Sequence, residues 1–593
     1  MIKVETSLVM AATVIVFSLG LGSCASISSV RRAQQAASAA NVRAEQANAR
    51  ADALAKRIAA MQARFSSQLA DLQSKQMSLA SSSAAAQAQA LAAINGVQRT
   101  QQLLSAALAD QMSSSANTSH PVQTGWLYNR VVTMARTLAK RPFIAPPAPP
   151  AAMMQMNVSA YNKLAAQAVM QGWPADSRFS LAIKPVGYLY HRGVAINLVR
   201  GTKIEPLRFA PRDFGIPASL ASALPEDLAT AGFAFSYPLN GPHQADEFLS
   251  FLGASYFRGL GQDQWWGLSA RGIAVNTAVP NMQEEFPFFR SFWIVVPSVG
   301  ADSITVVALL DGRSISGAYR FLITPGNVTT VVVTAVLFLR QPVSRLGLAP
   351  LTSMYLQGRS DANRFSVFPQ EIHDSDGLSV ETQAEQWLWQ PLANPGRLRV
   401  RSFELDNPMG YGLMQRDRNF NDYQSIGAHY QDRPSAWVTF LGKWGRGHIE
   451  LVEIPSRNAD NDNVVAFWVP QTLPPPGQPL TLRYMIAWQG KDQTLPPLGW
   501  TTATHVIQSG RDVHIFSIDF SGGDLAQLPS WVSLQPQVRI SGGQSPTDVT
   551  LVKLPTGGRW RLRFTVQGTG QMTIRAGIAY HGKPLTEEWN YST

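Results

Sequence analysis

The segment EIHDSDGLSVE, residues 371–381, crowds Glu371, Asp374, Asp376 and Glu381 around His373. Only 15% of the chain is charged, so this density of carboxylates is notable, and Trp387 and Trp389 follow closely. Such a group can be a solvated loop, a metal site, or the acid end of a sugar-cleaving cleft. Glycoside cleavage needs two carboxyl groups, one to protonate the leaving oxygen and one to activate water or attack the sugar. The acid must keep its proton, which burial or a neighbouring carboxylate can arrange. Asp376 sits in SDG, strong turn chemistry. The nine histidines show no HxH or HExxH spacing and the single cysteine excludes a cysteine-based zinc site, so no metal is expected. There is no P-loop, dinucleotide fingerprint or GxSxG, so nucleotide chemistry, serine hydrolysis and a bound cofactor find no support.

Other side chains compete for a place beside this segment. Asp311 ends the run VVALLDGR, where a carboxylate can point from a rigid strand into a cleft or simply start a turn. Glu284 and Glu285 are rivals for the same role. Tyr256, Trp265, Trp266, Trp387 and Trp389 are candidate platforms for sugar rings, because flat aromatic faces stack on flat or apolar ligands. Alternation puts Trp387 and Trp389 on one strand face, which is either the cleft or the core. Arg258, Arg271, Arg416 and Arg418 either hydrogen-bond sugar hydroxyls or form structural ion pairs.

The elements that must carry these residues are mostly strands. SITVVALLD, YRFLITP and TTVVVTAVLFLR are β-branched runs bounded by Gly and Pro, and few helical patterns intervene apart from LASALPEDLATAG (220–232). We expect a mainly β fold, with a large antiparallel β-sandwich over 125–472 that carries these candidate residues. The proline-rich QTLPPPGQPL marks a break. Beyond it, the strands LTLRYMIAWQ, DVHIFSIDF, WRLRFTVQG and QMTIRAGIAY suit a small immunoglobulin-like sandwich over 478–593. A short amphipathic stretch, WLYNRVVTMARTLAKRP, and a stiff proline linker, APPAPPAA, precede the large domain.

The N-terminal residues read differently. Residues 1–24 form a signal or membrane-anchor segment ending at Cys24, in a context (LGSC) that looks like a lipobox, a lipidation site. Residues 25–118 are rich in Ala, Gln and Ser. Leu54, Ile58, Met61, Phe65, Gln68, Leu72, Lys75 and Leu79 step by four and three, as in a helical stalk able to pair into a coiled coil and so a homo-oligomer. The net charge of +11 is dispersed with no run of five basic residues, which argues against nucleic acid.

From DLATAGFAFSYPLN to NDNVVAFW the chain resembles the periplasmic, osmoregulated glucan biosynthesis proteins of the G/D type. The resemblance rests on FLGASYFRGLG, GLSARGIAVNTA, EEFPFFRSFWI, ALLDGRSISGAYRF, LGLAPLTSMYL, EIHDSDGL, WLWQPLANP, GLMQRDRNF, RPSAWV and ELVEIP. It implies a large sandwich followed by an immunoglobulin-like domain. It also implies β-1,2-glucan as ligand, inverting hydrolysis or a non-catalytic glucan-handling role, and an inner-membrane glucosyltransferase as partner. In the family motif Asp374 takes the place of the general acid, with Glu371 and His373 tuning it. Family members commonly carry Arg-Pro directly before this Glu. Here Pro369–Gln370 precede Glu371, so an arginine that could orient the carboxylates is missing or displaced.

Overall fold

A computed structural model describes residues 124–592, apart from 166–172, 175–176, 362–368, 385, 510–511 and 569–571. The leader with Cys24 and the stalk lie outside the described residues. No helix of the described residues is long and apolar enough to cross a membrane.

The β-branched runs form the strands they predict. Ile304–Asp311, Ile315–Thr324 and Thr329–Leu339 pair as an antiparallel meander, with Val306 opposite Phe321 and Tyr319 opposite Ala335. They sit inside a fifteen-stranded sheet. A ten-stranded sheet, which includes Thr230–Tyr237, Asp246–Leu252 and Tyr256–Gly259, faces it. One core joins the two faces: Phe233 meets Phe292 at 5.0 Å, Phe251 meets Phe321 at 5.0 Å, and Phe257 meets Trp488 at 6.0 Å. The amphipathic stretch is the helix Thr124–Ala139. Its Leu127, Val131 and Ala135 cover Trp293, Val307, Leu309 and Phe338, so the meander is apolar on both faces because both are buried.

Two expectations change. LASALPEDLATAG yields only the single turn Ala218–Ala221, and the strand Thr230–Tyr237 already begins within the pattern. Pro225 interrupts the periodicity, because proline removes a helical donor and clashes with the preceding turn. The second correction concerns the proline-rich break. The strand Pro479–Gln489, expected to open a separate C-terminal domain, lies between Thr329–Leu339 and Ser435–Phe440 in the large sheet. The prolines mark a crossing from the ten-stranded sheet, which Val464–Pro470 leaves, to the fifteen-stranded one.

The C-terminal strands then pack in two layers around a second core. One layer is the four-stranded sheet of Trp500–Ser509, Val513–Ser521, Thr547–Lys553 and Trp560–Gln567. The other, Gln535–Ile540, Thr573–Tyr580 and Glu588–Ser592, is continuous with the large sheet, because Glu588–Ser592 runs parallel to Trp387–Pro391. Trp589 is the keystone of this seam. It is fully buried, stacks on Tyr591 at 5.5 Å, and donates Nε1–H to Thr504 Oγ1 at 2.9 Å. Trp589→Ala should cost about 3–5 kcal/mol by cavity formation. Denaturant unfolding measures this, and a loss under about 1 kcal/mol would show that the seam is not tightly packed.

Candidate active site

A two-strand ladder pairs Tyr355–Gln357 with Ile372–His373, with Tyr355 opposite His373. The Asp374 N–H continues it onto the Met354 carbonyl at 2.8 Å. Successive side chains of an extended segment point to opposite faces. His373 and Asp374 accordingly have different partners.

Asp374 is buried, and its Oδ1 pairs with the Arg433 guanidinium. Burial is the main influence on its carboxyl and pushes it up to about 6, aided by the charge of Asp462 and opposed by Arg433 and Arg258. Asp462 lies 3.6 Å from Arg258 and accepts a hydrogen bond from Ser269 at 3.3 Å. Tyr256 feels Arg271, Asp462, Glu284 and Arg258, and its phenol is raised mainly by burial. Arg433 lies over the Tyr430 ring at 4.5 Å and is held by the Ala428 carbonyl. Trp265 is 47% exposed and stacks on His429 at 4.3 Å, while its backbone N–H donates to the Asp432 carbonyl. The structure thus brings Asp374, Tyr256, Arg258 and Trp265 into one partly exposed neighbourhood.

Other candidates have different places. Arg271 is buried, ion-paired with Glu284 at 3.0 Å and stacked over Tyr256 and Phe286, so it shapes the patch from beneath. Arg418 donates to the carbonyls of Gln431 and Arg433 and braces the turn that carries Arg433. Glu285 accepts hydrogen bonds from the N–H and hydroxyl of Ser314. Trp387 and Trp389 are core residues: Trp387 stacks on Trp437, Trp389 lies under Arg416, and both join the C-terminal core, leaving no face for a sugar. Asp311 is fully buried, and each oxygen is taken, one by Arg290 and the other by Arg340 and the Gly312 N–H. Three donors on about four lone-pair sites leave at most one position free, on the oxygen that meets Arg290. Removing one partner of a buried pair costs about 3–5 kcal/mol. Asp311→Asn should therefore lower the unfolding free energy by about that amount in denaturant unfolding. A variant of wild-type stability would show that the paired charge does not hold the fold.

The opposite face of the segment is an interior cluster. His373 is stacked parallel to Tyr355 at 5.2 Å and edge-on to Tyr423. Its Nε2 lies 3.4 Å from Glu371 Oε2 and 3.5 Å from Asp376 Oδ1. Burial works against the imidazolium, but contact with Glu371 and the charges of Asp376, Glu371 and Asp417 overcome it and hold the ring at about 9. Glu371 is held low: burial opposes this, and His373 and Arg359 outweigh it. Asp417 is pushed up by burial and by Asp376 and Glu371. Arg359 reaches Glu371 at 3.2 Å, Asp417 at 3.4 Å and Asp422 at 2.5 Å. An arginine therefore does orient Glu371, from the turn Arg359–Asp361 rather than from the position before it. Gly358 permits this approach, since a Cβ there would lie 2.4 Å from the Tyr355 hydroxyl.

Asp462, Arg433, His429 and Arg359 were not among the sequence candidates. Two of them lie inside or beside quoted phrases, RPSAWV and NDNVVAFW, but nothing in their spacing ties them to residue 374.

The family described as "Periplasmic glucan biosynthesis protein, MdoG" matches residues 127–593. The chain belongs to this family. It is 41% identical over 481 residues to glucans biosynthesis protein G of Ralstonia nicotianae, covering 78% of this chain and 95% of that protein. It is 39% identical over 464 residues to glucans biosynthesis protein G of Pseudomonas putida KT2440, covering 74% and 82%. The family match spans both the Asp374 face and the C-terminal strands, so both belong to the shared periplasmic family framework.

Proposed function

We propose that this chain acts in the periplasm on β-1,2-linked glucan, binding it beside Asp374 and cleaving it with inversion, with Asp374 as general acid. One observation carries this reading. The buried carboxyl of the family motif sits in one neighbourhood with exposed Trp265, exposed Arg258 and Asp462. Trp265 offers a ring face and Arg258 offers donors to sugar hydroxyls. Glu284 replaces Asp311 as our candidate for the water-activating carboxylate. It is a quarter exposed and is oriented by Arg271 and Thr277, whose hydroxyl donates to it at 2.7 Å. Glu371 and His373 act behind Asp374, fixing the segment that bears it. The large two-layer region is a β-sandwich groove in this reading, and the N-terminal residues tether it to the membrane through Cys24 or a span. An inner-membrane glucosyltransferase supplies the nascent glucan.

Asp374→Asn keeps the shape but cannot donate a proton, so cleavage of linear β-1,2-glucan should fall at least about 10²-fold. Affinity should stay within a few-fold. Full activity in the variant would remove Asp374 from the chemistry.

A second reading has an observation of its own: Arg433 pairs directly with Asp374, as suits a carboxylate that never gives up a proton. The chain would then be a non-catalytic glucan-handling partner of the glucosyltransferase. Absence of turnover by the wild-type chain on any β-glucan, with binding intact, would favour it.

Inverting enzymes separate their carboxyl groups by about 6.5–9.5 Å to admit a water. Asp374 and Glu284 pair with different guanidiniums, Arg433 and Arg271, in keeping with such a gap. Proton NMR of the first-formed reducing ends should show the α-anomer. An initial β-anomer would mean retention.

A further inference from the structure

The interior cluster behind Asp374 contains three lone-pair atoms aimed at one point. The Gln415 amide settles the histidine tautomer. Its Nε2 donates to the carbonyls of His373 and Tyr430, at 3.2 and 2.9 Å, so its Oε1 faces His373 Nδ1 at 3.1 Å. An acceptor there requires the proton on Nδ1, which leaves Nε2 as the inward atom. Asp376 uses Oδ2 to accept the N–H groups of Arg416 and Asp417, which leaves Oδ1 inward. Glu371 uses Oε1 for Arg359, and its Oε2 is buried without a hydrogen-bond partner among the described residues. Each side chain is thus anchored through one atom and presents the other.

One ligand atom from each of Glu371, His373 and Asp376 lies within 4.8 Å of the other two. Something positive belongs between the two carboxylates and the ring: a proton on Nε2, or a metal ion. A proton on Nε2 would make charge-assisted hydrogen bonds of about 2.7–2.9 Å. The observed separations from Nε2 are 3.4 and 3.5 Å. Ligand atoms around a tetrahedral ion with bonds of about 2.0–2.1 Å stand about 3.3 Å apart.

An independent observation comes from across the seam. Thr501 lines the same cavity, of about 50 Å³, as Glu371, His373 and Asp376. It is only 2% exposed, and its hydroxyl has no hydrogen-bond partner among the described residues. A hydroxyl sealed from water with nothing to bind marks room for a ligand or for a water held by one.

We propose that His373 Nε2, Glu371 Oε2 and Asp376 Oδ1 form a site for a divalent transition ion of the Zn²⁺ class, with the fourth position open towards Thr501. Imidazole with carboxylates suits such ions better than Ca²⁺, which prefers six to eight oxygens. The Gln415 contact agrees, since a ligating histidine typically commits its other nitrogen to a carbonyl-type acceptor. The ion would pin the turn that carries Asp374 to the C-terminal lobe. The inference stands whether or not the chain cleaves glucan.

The full chain, purified without chelator, should carry about one transition ion by elemental analysis. After removal of metal with a chelator, Zn²⁺ added back in competition with a metal-binding dye should bind stoichiometrically and raise the thermal midpoint. Co²⁺ in its place should give visible bands of a low-coordinate, histidine-bound ion. His373→Gln and, as a second test should that variant misfold, Glu371→Gln should each weaken Zn²⁺ binding by at least about 10-fold, the lower bound for disturbing a metal site. His581→Ala, at an exposed C-terminal turn that does not line the cavity, should not. Failure of the wild-type chain to bind Zn²⁺ or Co²⁺, or binding unchanged in both cluster variants that remain folded by circular dichroism, would overturn the proposal.

Discussion

The two-residue ladder between Tyr355–Gln357 and Ile372–His373 is the constraint on which the rest of the site depends. It holds an acidic segment extended, and extended backbone sends neighbouring side chains opposite ways. Asp374 therefore meets Arg433, with Asp462 and Arg258 near by, while His373 meets Glu371, Asp376 and the Tyr355 ring. A slip of one residue would exchange the two environments and put an imidazole where the candidate acid belongs. The Gln415 amide, the Arg359 guanidinium and the close approach at Gly358 all oppose such a slip.

Around this segment the architecture supplies rigidity and separation. The ten-stranded sheet carries Tyr256, Arg258 and Arg271, and the fifteen-stranded sheet carries Asp311 and Trp389. The large sheet continues into the C-terminal strands through Trp389 beside Trp589. Arg416 crosses the same seam to Glu587 and to the Thr501 carbonyl. The C-terminal strands thus help wall the interior cluster.

What was legible in the sequence was what local order determines. The meander strands, the helix Thr124–Ala139 and the family followed from runs and phrases that are contiguous in the chain. The grouping of Glu371, His373 and Asp374 was legible for the same reason. The pairing of Asp311 was not legible because Arg290 and Arg340, which bind its two oxygens, come from elsewhere in the chain and are brought to it by the fold. Trp387 and Trp389 show the limit of period-two reasoning. Alternation placed them on one face, but only the C-terminal strands, more than 100 residues on, made that face part of a core. The proline run before Pro479 looks the same in sequence whether it links domains or crosses between sheets. Asp462 and Arg433 were invisible as site residues, because distant pairings carry them to Asp374.

The central claim is that the Asp374 face, and neither the seam nor another surface, receives glucan. A structure of the Asp374→Asn chain with a linear β-1,2-gluco-oligosaccharide tests it most directly. The account predicts a sugar ring against Trp265, hydroxyls within reach of Arg258, and a glycosidic oxygen within hydrogen-bonding distance of residue 374. An oligosaccharide bound with none of these contacts, on any other part of the surface, would contradict it.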